Sequence, residues 1–590
     1  MAPTAAYTAA ASDYTKKVQW LVEIDLDRCD NEYTTAPCTA IDAGDGARCF
    51  FSFPTCQDQA NFVKVTRTYR FCLNDVPWPD TATAVYPLLK KITQTPHKVS
   101  TASFFSYPDT ISFTMFKDWA PPAADNDKVT HNTALSGEFW RNLFSRNRNY
   151  SGRAVRMLRG FDASGFVLAD FEQVGPEYTL ADVDFSAGEC KITAESPLAK
   201  LRQRKIPFPI SDDNQLTTTV NASVTTWVVT DGGEYPDPAT GHLGGAFVRN
   251  TIYAECESEI VSITSISGNN LTVVRGQFGT TAVGHTAPID CTHVACFGTT
   301  AGAAVNSVDT LQDLMEWAGI AAADVNTTKF NNMRDINWPG DDVVRVVRKS
   351  KTVARLMQEI REVRGILVYL DDAAKWAADL IGPRIAVASY DDDSMRNVTV
   401  TESDKDRRTR IALWYDPTKE DARDPEDFAK AVVVVDANLE TANNYGDVRE
   451  RQVLDLWLNP AHPAAKVRNL ARRLIARSGH GIRMLEFELE IKDGVRYVGD
   501  AVTLATRELT DFYGNQVSVP AVMVSRKEAG RGAIRYTAVD TNFSGKFFII
   551  GPDTMTDAYD SATDADKAFG YWGDADNRVG SSLVEGYKLP

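Results

Sequence analysis

Apolar and polar residues alternate at period two over several stretches of the chain: KVQWLVEIDLD (17–27), NFVKVTRTYRF (61–71), TISFTMF (110–116) and NNLTVVRG (269–276). Successive strand side chains point to opposite faces, so this period predicts strands with one face buried. The 3.6-residue period of an amphipathic helix is confined to a few segments. SGEFWRNLFSRN (136–147) is short. SVDTLQDLMEWAG (307–319) places Leu311, Leu314, Met315 and Ala318 on one side, with Ser307 expected as the N-cap. KTVARLMQEIREVRG (351–365) lines up Val353, Leu356, Met357, Ile360 and Val363 and stops at Gly365 before the apolar run ILVYL, which predicts helix, glycine cap and strand. A fourth helix is expected near 464–477, ending in the same manner at Gly479. Many strands and about four helices predict a mainly β, multidomain fold with helical insertions.

At 590 residues the chain is too long for one hydrophobic core. Apolar patterning lapses, and Pro, Gly or charge accumulates, at KIPFPISDD (205–213), near CFGTTAGAAVNS (296–307) and around VTESDKDRRTR (400–410). These seams divide the chain into an N-terminal β domain (1–205), a small β domain (206–305), an α+β domain (306–400) and a C-terminal β domain (401–550). Residues 551–590 are acidic and lack apolar periodicity, so they are expected to form an extended arm that packs on other subunits. No fixed-period repeat or heptad appears, which disfavours solenoids and fibrous shafts.

The composition, 43% hydrophobic and 24% charged, is that of a folded protein. A formal net charge of −16 makes duplex DNA an unsuitable ligand. The most basic stretch, 467–483, carries Arg468, Arg472, Arg473 and Arg477 opposite Val467, Leu470, Ala471 and Leu474, and reads as the solvated face of a helix. The first residues lack the apolar core of a signal peptide, and no run approaches 18 uncharged apolar residues, so a soluble protein made in the cytosol is expected.

No GxSxG elbow, HExxH pair or Walker loop is present, and no enzymatic activity is expected. VVRGQFGTTAVGH (273–285) has glycines suited to an anion loop, but it lacks the P-loop lysine and follows an alternating strand, so a tight turn between paired strands is the better reading. His285 and His293, with Cys291 and Cys296 nearby, form a weak second metal candidate against a structural role in strands.

Five of the nine cysteines lie in the first 72 residues. Cys29 and Cys38 form a C-x8-C pair, Cys49 and Cys56 a C-x6-C pair, and the glycine-rich DAGDGA (42–47) between them would let the chain fold back so that four thiolates converge. Cytosolic thiols stay reduced, and tight clusters there serve metal or redox chemistry. Zinc usually takes closer pairs, an iron-sulfur cluster tolerates wider loops, and a pair of disulfides is the plain alternative; spacing leaves all three open.

Several segments resemble the hub and tail-tip proteins of long-tailed bacteriophages: the RGxxGT turn with its following histidine (273–285), GEFWRNLFSRNRNYSGRAVRML (137–158), ANLETANNYGDVRERQV (437–453) and GDAVTLATRELTDFYGN (499–515). The cysteine segment is similar to the iron-sulfur domain of the lambda-type tail-tip protein, with a shorter loop between the pairs. The resemblance implies metal ligands at Cys29, Cys38, Cys49 and Cys56 and a [4Fe-4S]-type cluster, with zinc as the alternative; Cys72 has no counterpart and reads as a strand cysteine. It further implies β-barrel hub domains at 1–205 and 401–550. The protein would be a homotrimeric ring of the virion's tail baseplate, assembled in the bacterial cytoplasm and continuing the tail tube. Expected partners are the tail tube and distal tail proteins, the central fibre and other baseplate proteins, with DNA passing through an acidic lumen without specific binding. The aromatic stretches FFSFPT (50–55) and KAFGYWGD (567–574) suit either protein contacts or core. A tail-associated cell-wall hydrolase and a receptor-binding adhesin are the rival readings.

Overall fold

The computed structural model describes residues 4–541, apart from 13–16, 41–48, 50, 74–84, 96, 100–105, 108–109, 117–138, 162–166, 187, 208–213, 237–251, 300, 372, 374, 383, 405–406, 459–461, 480, 512 and 531, together with 578–579 and 584–585. Almost all of the expected arm 551–590, the stretch 567–574, the glycine-rich 42–47 and most of the 205–213 seam lie outside the described residues. The fold is mainly β.

After helix α1 (Ala5–Ser12), the chain builds a barrel from β1 (Val18–Cys29), β2 (Lys64–Leu73), β3 (Val85–Gln94), β6 (Thr110–Phe116), β7 (Ala154–Phe161), β9 (Tyr178–Ser186) and β10 (Glu189–Glu195). Two small strands, β4 (His97–Val99) and β5 (Ser106–Tyr107), interrupt it, and β8 (Glu172–Gln173) sits on its margin. The strand order is β1-β2-β3-β6-β10-β9-β7, and β7 pairs back onto β1, so the sheet closes on itself. Alternation along β1 decides which side faces in: Val22, Ile24 and Leu26 enter the core. Glu23, Asp25 and Asp27 face out into a ladder of cations from both neighbours. Glu23 accepts from Arg70 (2.8 Å) and Arg156 (2.9 Å), Asp25 from Thr68 (2.7 Å) and Arg156 (2.8 Å), and Asp27 pairs with Arg153 and Lys64. Helix α2 (Phe139–Arg146) fills the interior with Trp140, which is fully buried, lies 4.7 Å from the Phe71 ring and donates its indole N–H to the Phe116 carbonyl.

Helix α3 (Leu198–Gln203) and β11 (Lys205–Ile206) lead into a second sheet. It comprises β12 (Gln215–Leu216), β13 (Thr226–Val228), β14 (Ile252–Cys256), β15 (Glu259–Ser267), β16 (Asn270–Gln277) and β17 (Ile289–Phe297). β18 (Val305–Asn306) pairs with β19 (Asp342–Val343), β20 (Arg345–Val347) joins β17, and β21 (Lys351–Thr352) pairs with β11. Helices α4 (Ser307–Trp317), α5 (Thr327–Asn332) and α6 (Val353–Arg364) and the hairpin β22 (Ile366–Leu370)–β23 (Trp376–Leu380) pack against this sheet. α6 ends as expected at Gly365, left-handed at φ 68°, a conformation that glycine adopts without steric cost. The α4 cap differs from expectation: Asn306 accepts from the Val308 amide, and Ser307 is the first helical residue, its hydroxyl 2.5 Å from Asp341.

β24 (Ala388–Tyr390) and β25 (Met395–Ser403) begin a second barrel. The chain then leaves it for a three-stranded sheet, β26 (Arg410–Pro417), β27 (Phe428–Val435) and β28 (Glu450–Leu454), and for helix α7 (Ala464–Ser478). It returns as β29 (Ile482–Glu490), β30 (Ala501–Thr510), β31 (Gln516–Gly530) and β32 (Ala533–Asp540). The order β24-β30-β31-β32-β29-β25 has its two outer strands joined by the turn 391–394, which brings the sheet edges round toward each other. α7 ends at Gly479 with φ −66°, in right-handed rather than left-handed backbone. The excursion through β26–β28 and α7 shares one hydrophobic core with the second sheet and its helices, from Leu198 to Ile475.

The two barrels are bound to each other. β4, an excursion of the first, pairs with β31 of the second (Lys98 opposite Ser525). Tyr7 of α1 and Phe161 of β7, 5.0 Å apart, enter the second barrel's core. Arg159, 1% exposed, donates to the Tyr7 hydroxyl (3.0 Å) and to Glu528 on β31 (3.1 Å), which also accepts from Arg526 (2.9 Å).

Candidate metal centre

Cys29 is the last residue of β1 and the first of the four cysteines; its amide donates to the Phe51 carbonyl (2.7 Å), so the start of the cysteine segment is tied to a point just past Cys49. The next amide, Asp30, donates to Val63 at the foot of β2 (2.9 Å). The described residues between these ties form turns and two short 3₁₀ helices (Phe53–Thr55 and Gln59–Asn61), held by Asp58, which accepts from the Thr39 amide (2.7 Å), the Thr39 hydroxyl (2.9 Å) and Asn61. The Thr39 amide bond, with Asn61, holds its carboxyl below the usual range. Cys56 closes the 3₁₀ turn Phe53–Thr55 through its amide to Phe53 (3.2 Å), and the Phe51 amide points at Cys49 Sγ (3.4 Å).

The apolar content of the segment is small. Cys29, Tyr33 and Phe51 are buried together, with Cys38, Cys49, Ala40 and Phe62 packed around them. Phe51 is core, whereas Phe53 stands 51% exposed against Phe62. Two of the four described residues at the margin are themselves cysteines, so the thiols take the place of an aliphatic core.

All four cysteines are thiols, and they share one electrostatic neighbourhood. Burial pushes the Cys49 thiol up, the Phe51 amide opposes it, and negative charge on Cys56, Cys29 and Cys38 raises it further. Burial also raises Cys56, with Cys29 and Cys38 adding repulsion. Four thiolates here would therefore repel one another in the absence of a cation, which is the donor chemistry that a metal centre relieves. Among the described residues, no three His, Cys, Asp or Glu side chains are arranged around a single point as metal ligands. Beside Cys29 lies an open depression of about 380 Å³ whose lining includes Arg28, Arg67 and Arg70. Cys72 is buried on β2 with Leu21 and is a strand cysteine.

The second metal candidate does not come together. Cys291 is disulfide-bonded to Cys256, its register partner across β14 and β17, with Cα atoms 4.5 Å apart. His285 is held by Glu257 (2.8 Å) and Glu259 (3.0 Å), which makes it part of the turn that follows RGxxGT. In that motif Arg275 grips the fully buried Glu259 through Nε and a terminal nitrogen, both at 2.7 Å, and lies 4.8 Å over the Trp227 ring. The Gly276 and Val283 amides add two more donors to the same carboxylate, at 3.0 and 3.1 Å. Desolvation alone would raise the Glu259 carboxyl, but these donors outweigh it and bring it down to about 2. The motif is thus a turn clamped on a buried anion of its own chain.

The arginine stripe of α7 is only partly a solvated face. Arg473 lies 4.3 Å over the Trp338 ring and donates to the Asn337 carbonyl (3.1 Å), and burial, with Arg451 nearby, lowers Arg477 to about 9. No described helix is long and apolar enough to cross a membrane.

No protein-family model matches the chain, and no curated protein does. Among solved structures it is similar to the 43 kDa tail protein of prophage MuSo2 from Shewanella oneidensis: 11% identity, TM-score 0.36, covering 77% of this chain and 96% of that one. It is also similar to a chain in the virion of a native gene transfer agent particle, at 10% identity and TM-score 0.17, covering 49% of this chain and 82% of that one. Both likenesses are too distant to carry function.

Proposed function

We propose that the chain is a structural protein of a phage tail, the hub or tail-tip subunit of the baseplate. Three copies form a ring that continues the tail tube, anchors the central fibre and neighbouring baseplate proteins, and lets DNA pass through an acidic lumen. The observation that carries this reading is the pair of barrels in one chain, the first closed and the second nearly so, locked together by a shared strand pairing and the Arg159–Glu528 contact. Three such rigid pairs supply six barrels around an axis, which matches a sixfold tube to a threefold tip. The sequence resemblance of segments 137–158, 273–285, 437–453 and 499–515 supports the same assignment. The net charge of −16 suits a wall that phosphate slides past.

In this reading Cys29, Cys38, Cys49 and Cys56 hold a [4Fe-4S]-type cluster, with zinc as the alternative metal, and the centre is a staple. A loop segment with so few aliphatic residues gains its folding free energy from metal–sulfur bonds, and no catalytic step is involved. Gold-labelled antibody to the chain should decorate tail tips of intact virions; label along the tube, on the head or nowhere overturns the assignment. Turnover of peptidoglycan by the purified chain would favour the hydrolase instead.

A further inference from the structure

Among the described residues, α7 covers one face of the sheet β27-β26-β28, while the opposite face is shielded at Ala412 of β26, 4% exposed, but open along β27. α7 packs Val467, Leu470 and Leu474 against Ile411, Leu413 and Val432. On the other face β27 shows Ala429, Ala431, Val433 and Val435, the two valines 56% and 44% exposed. β27 is also the sheet's outer strand, paired among the described residues with β26 alone. A valine-rich edge strand with a bare face is a template for another strand, and proteins normally block such an edge.

We propose that β27 pairs with β27 of a second copy of this chain, antiparallel and two-fold about Val433. The strand's own sequence selects this partner. Because alternate residues are buried against α7, only registers that keep inward residues opposite inward ones preserve both cores. Centring on Val433 meets that condition and sets Lys430 opposite Asp436 of the second copy, and Asp436 opposite its Lys430. Ala431 then faces Val435, and Val432 faces Val434. Shifting the centre to residue 432 or 434 keeps the faces but sets Asp436 against Phe428 or Val432. The match therefore gives two opposite-charge cross-strand pairs flanking an apolar centre, and the off-register alternatives strand a carboxylate against apolar side chains. Within the chain the exposed Lys430 lies 3.8 Å from Asp416 and 6.0 Å over the Tyr415 ring, and Asp436 accepts from the Asn438 and Leu439 amides (3.2 and 3.4 Å) through Oδ1; the second copy's ammonium would add to these contacts through Oδ2.

This contact is two-fold and independent of the ring proposed above, and the test separates the two. Sedimentation of the full chain at micromolar concentration should give an even number of copies. Lys430→Asp or Asp436→Lys, each placing like charges opposite each other twice, should weaken association at least tenfold and halve the particle mass. The combined variant K430D/D436K should restore it. Val433→Lys, which sets two cations face to face on the axis, should also halve the mass while circular dichroism stays unchanged. An odd-numbered wild-type assembly, single variants of unchanged mass, or a double variant that fails to recover overturns the pairing. Threefold rings that persist in V433K would leave the hub reading standing, and binding of a different tail protein at β27 without self-association would assign the edge to that protein.

Discussion

Replacing Glu528 by Gln should loosen the two barrels from each other more than replacing Arg159 by Met. The carboxylate of Glu528 stands between two guanidinium groups, Arg159 at 3.1 Å and Arg526 at 2.9 Å, all three mostly shielded from water. Glu528→Gln leaves both cations buried without their anion, a situation that typically costs about 3–5 kcal/mol. Arg159→Met removes one charge-assisted bond, worth about 1.5–3 kcal/mol, but Glu528 keeps Arg526. Hydrogen exchange followed by mass spectrometry over 154–161, 97–99 and 525–530 reads this directly, because these strands open together if the contact fails. A loss of about 3 kcal/mol corresponds to a more than hundredfold faster exchange in those peptides, with β15 and β16 in the second sheet unchanged. Equal exchange in wild type and Glu528→Gln, or a milder effect than Arg159→Met, would refute the claim that a buried carboxylate joins the barrels.

Cys49→Ser should abolish bound metal, measured as iron, sulfide and zinc after anaerobic purification, and should raise proteolysis within 29–63 while leaving the barrel intact. Acid should test the Glu259 clamp: the folded carboxyl, held near 2 instead of 4.5, contributes stability above the unfolded pKa that is lost as pH falls from about 4.5 through 2, roughly 3 kcal/mol in total. Glu259→Gln should remove that component of the pH dependence, and a denaturation series between pH 5 and 2 that matches wild type would contradict it. Reducing Cys256–Cys291, or substituting Cys256 by Ser, should cost about 3–4 kcal/mol in the second sheet, as expected for a closed loop of 35 residues. Intact mass with and without reductant checks whether the bond is present.

Strands with one wet face were legible because alternation is local: 17–27, 61–71, 110–116 and 269–276 all lie within or beside strands of the fold. Barrel closure was not, since the pairing of β1 with β7 joins residues more than a hundred positions apart and leaves no mark in either strand. The RGxxGT turn was readable from its glycines, whereas its anchor Glu259 was missed. The available sign was a single acid at the head of the apolar run EIVSI. The arginines of α7 look alike in sequence, yet Arg473 and Arg477 spend their stems and planes on packing, which depends on where Trp338 and Gly365 arrive. Cys291 lies close in sequence to His285, His293 and Cys296, but its partner is Cys256, across the sheet rather than along the strand.

Cryo-electron microscopy of the purified chain, kept anaerobic, tests the central claim most directly. End-on views should show rings, themselves free to associate through β27, in each of which three subunits contribute six barrel densities around an open channel. Particles with no ring, whether solitary or joined only in pairs, would contradict it.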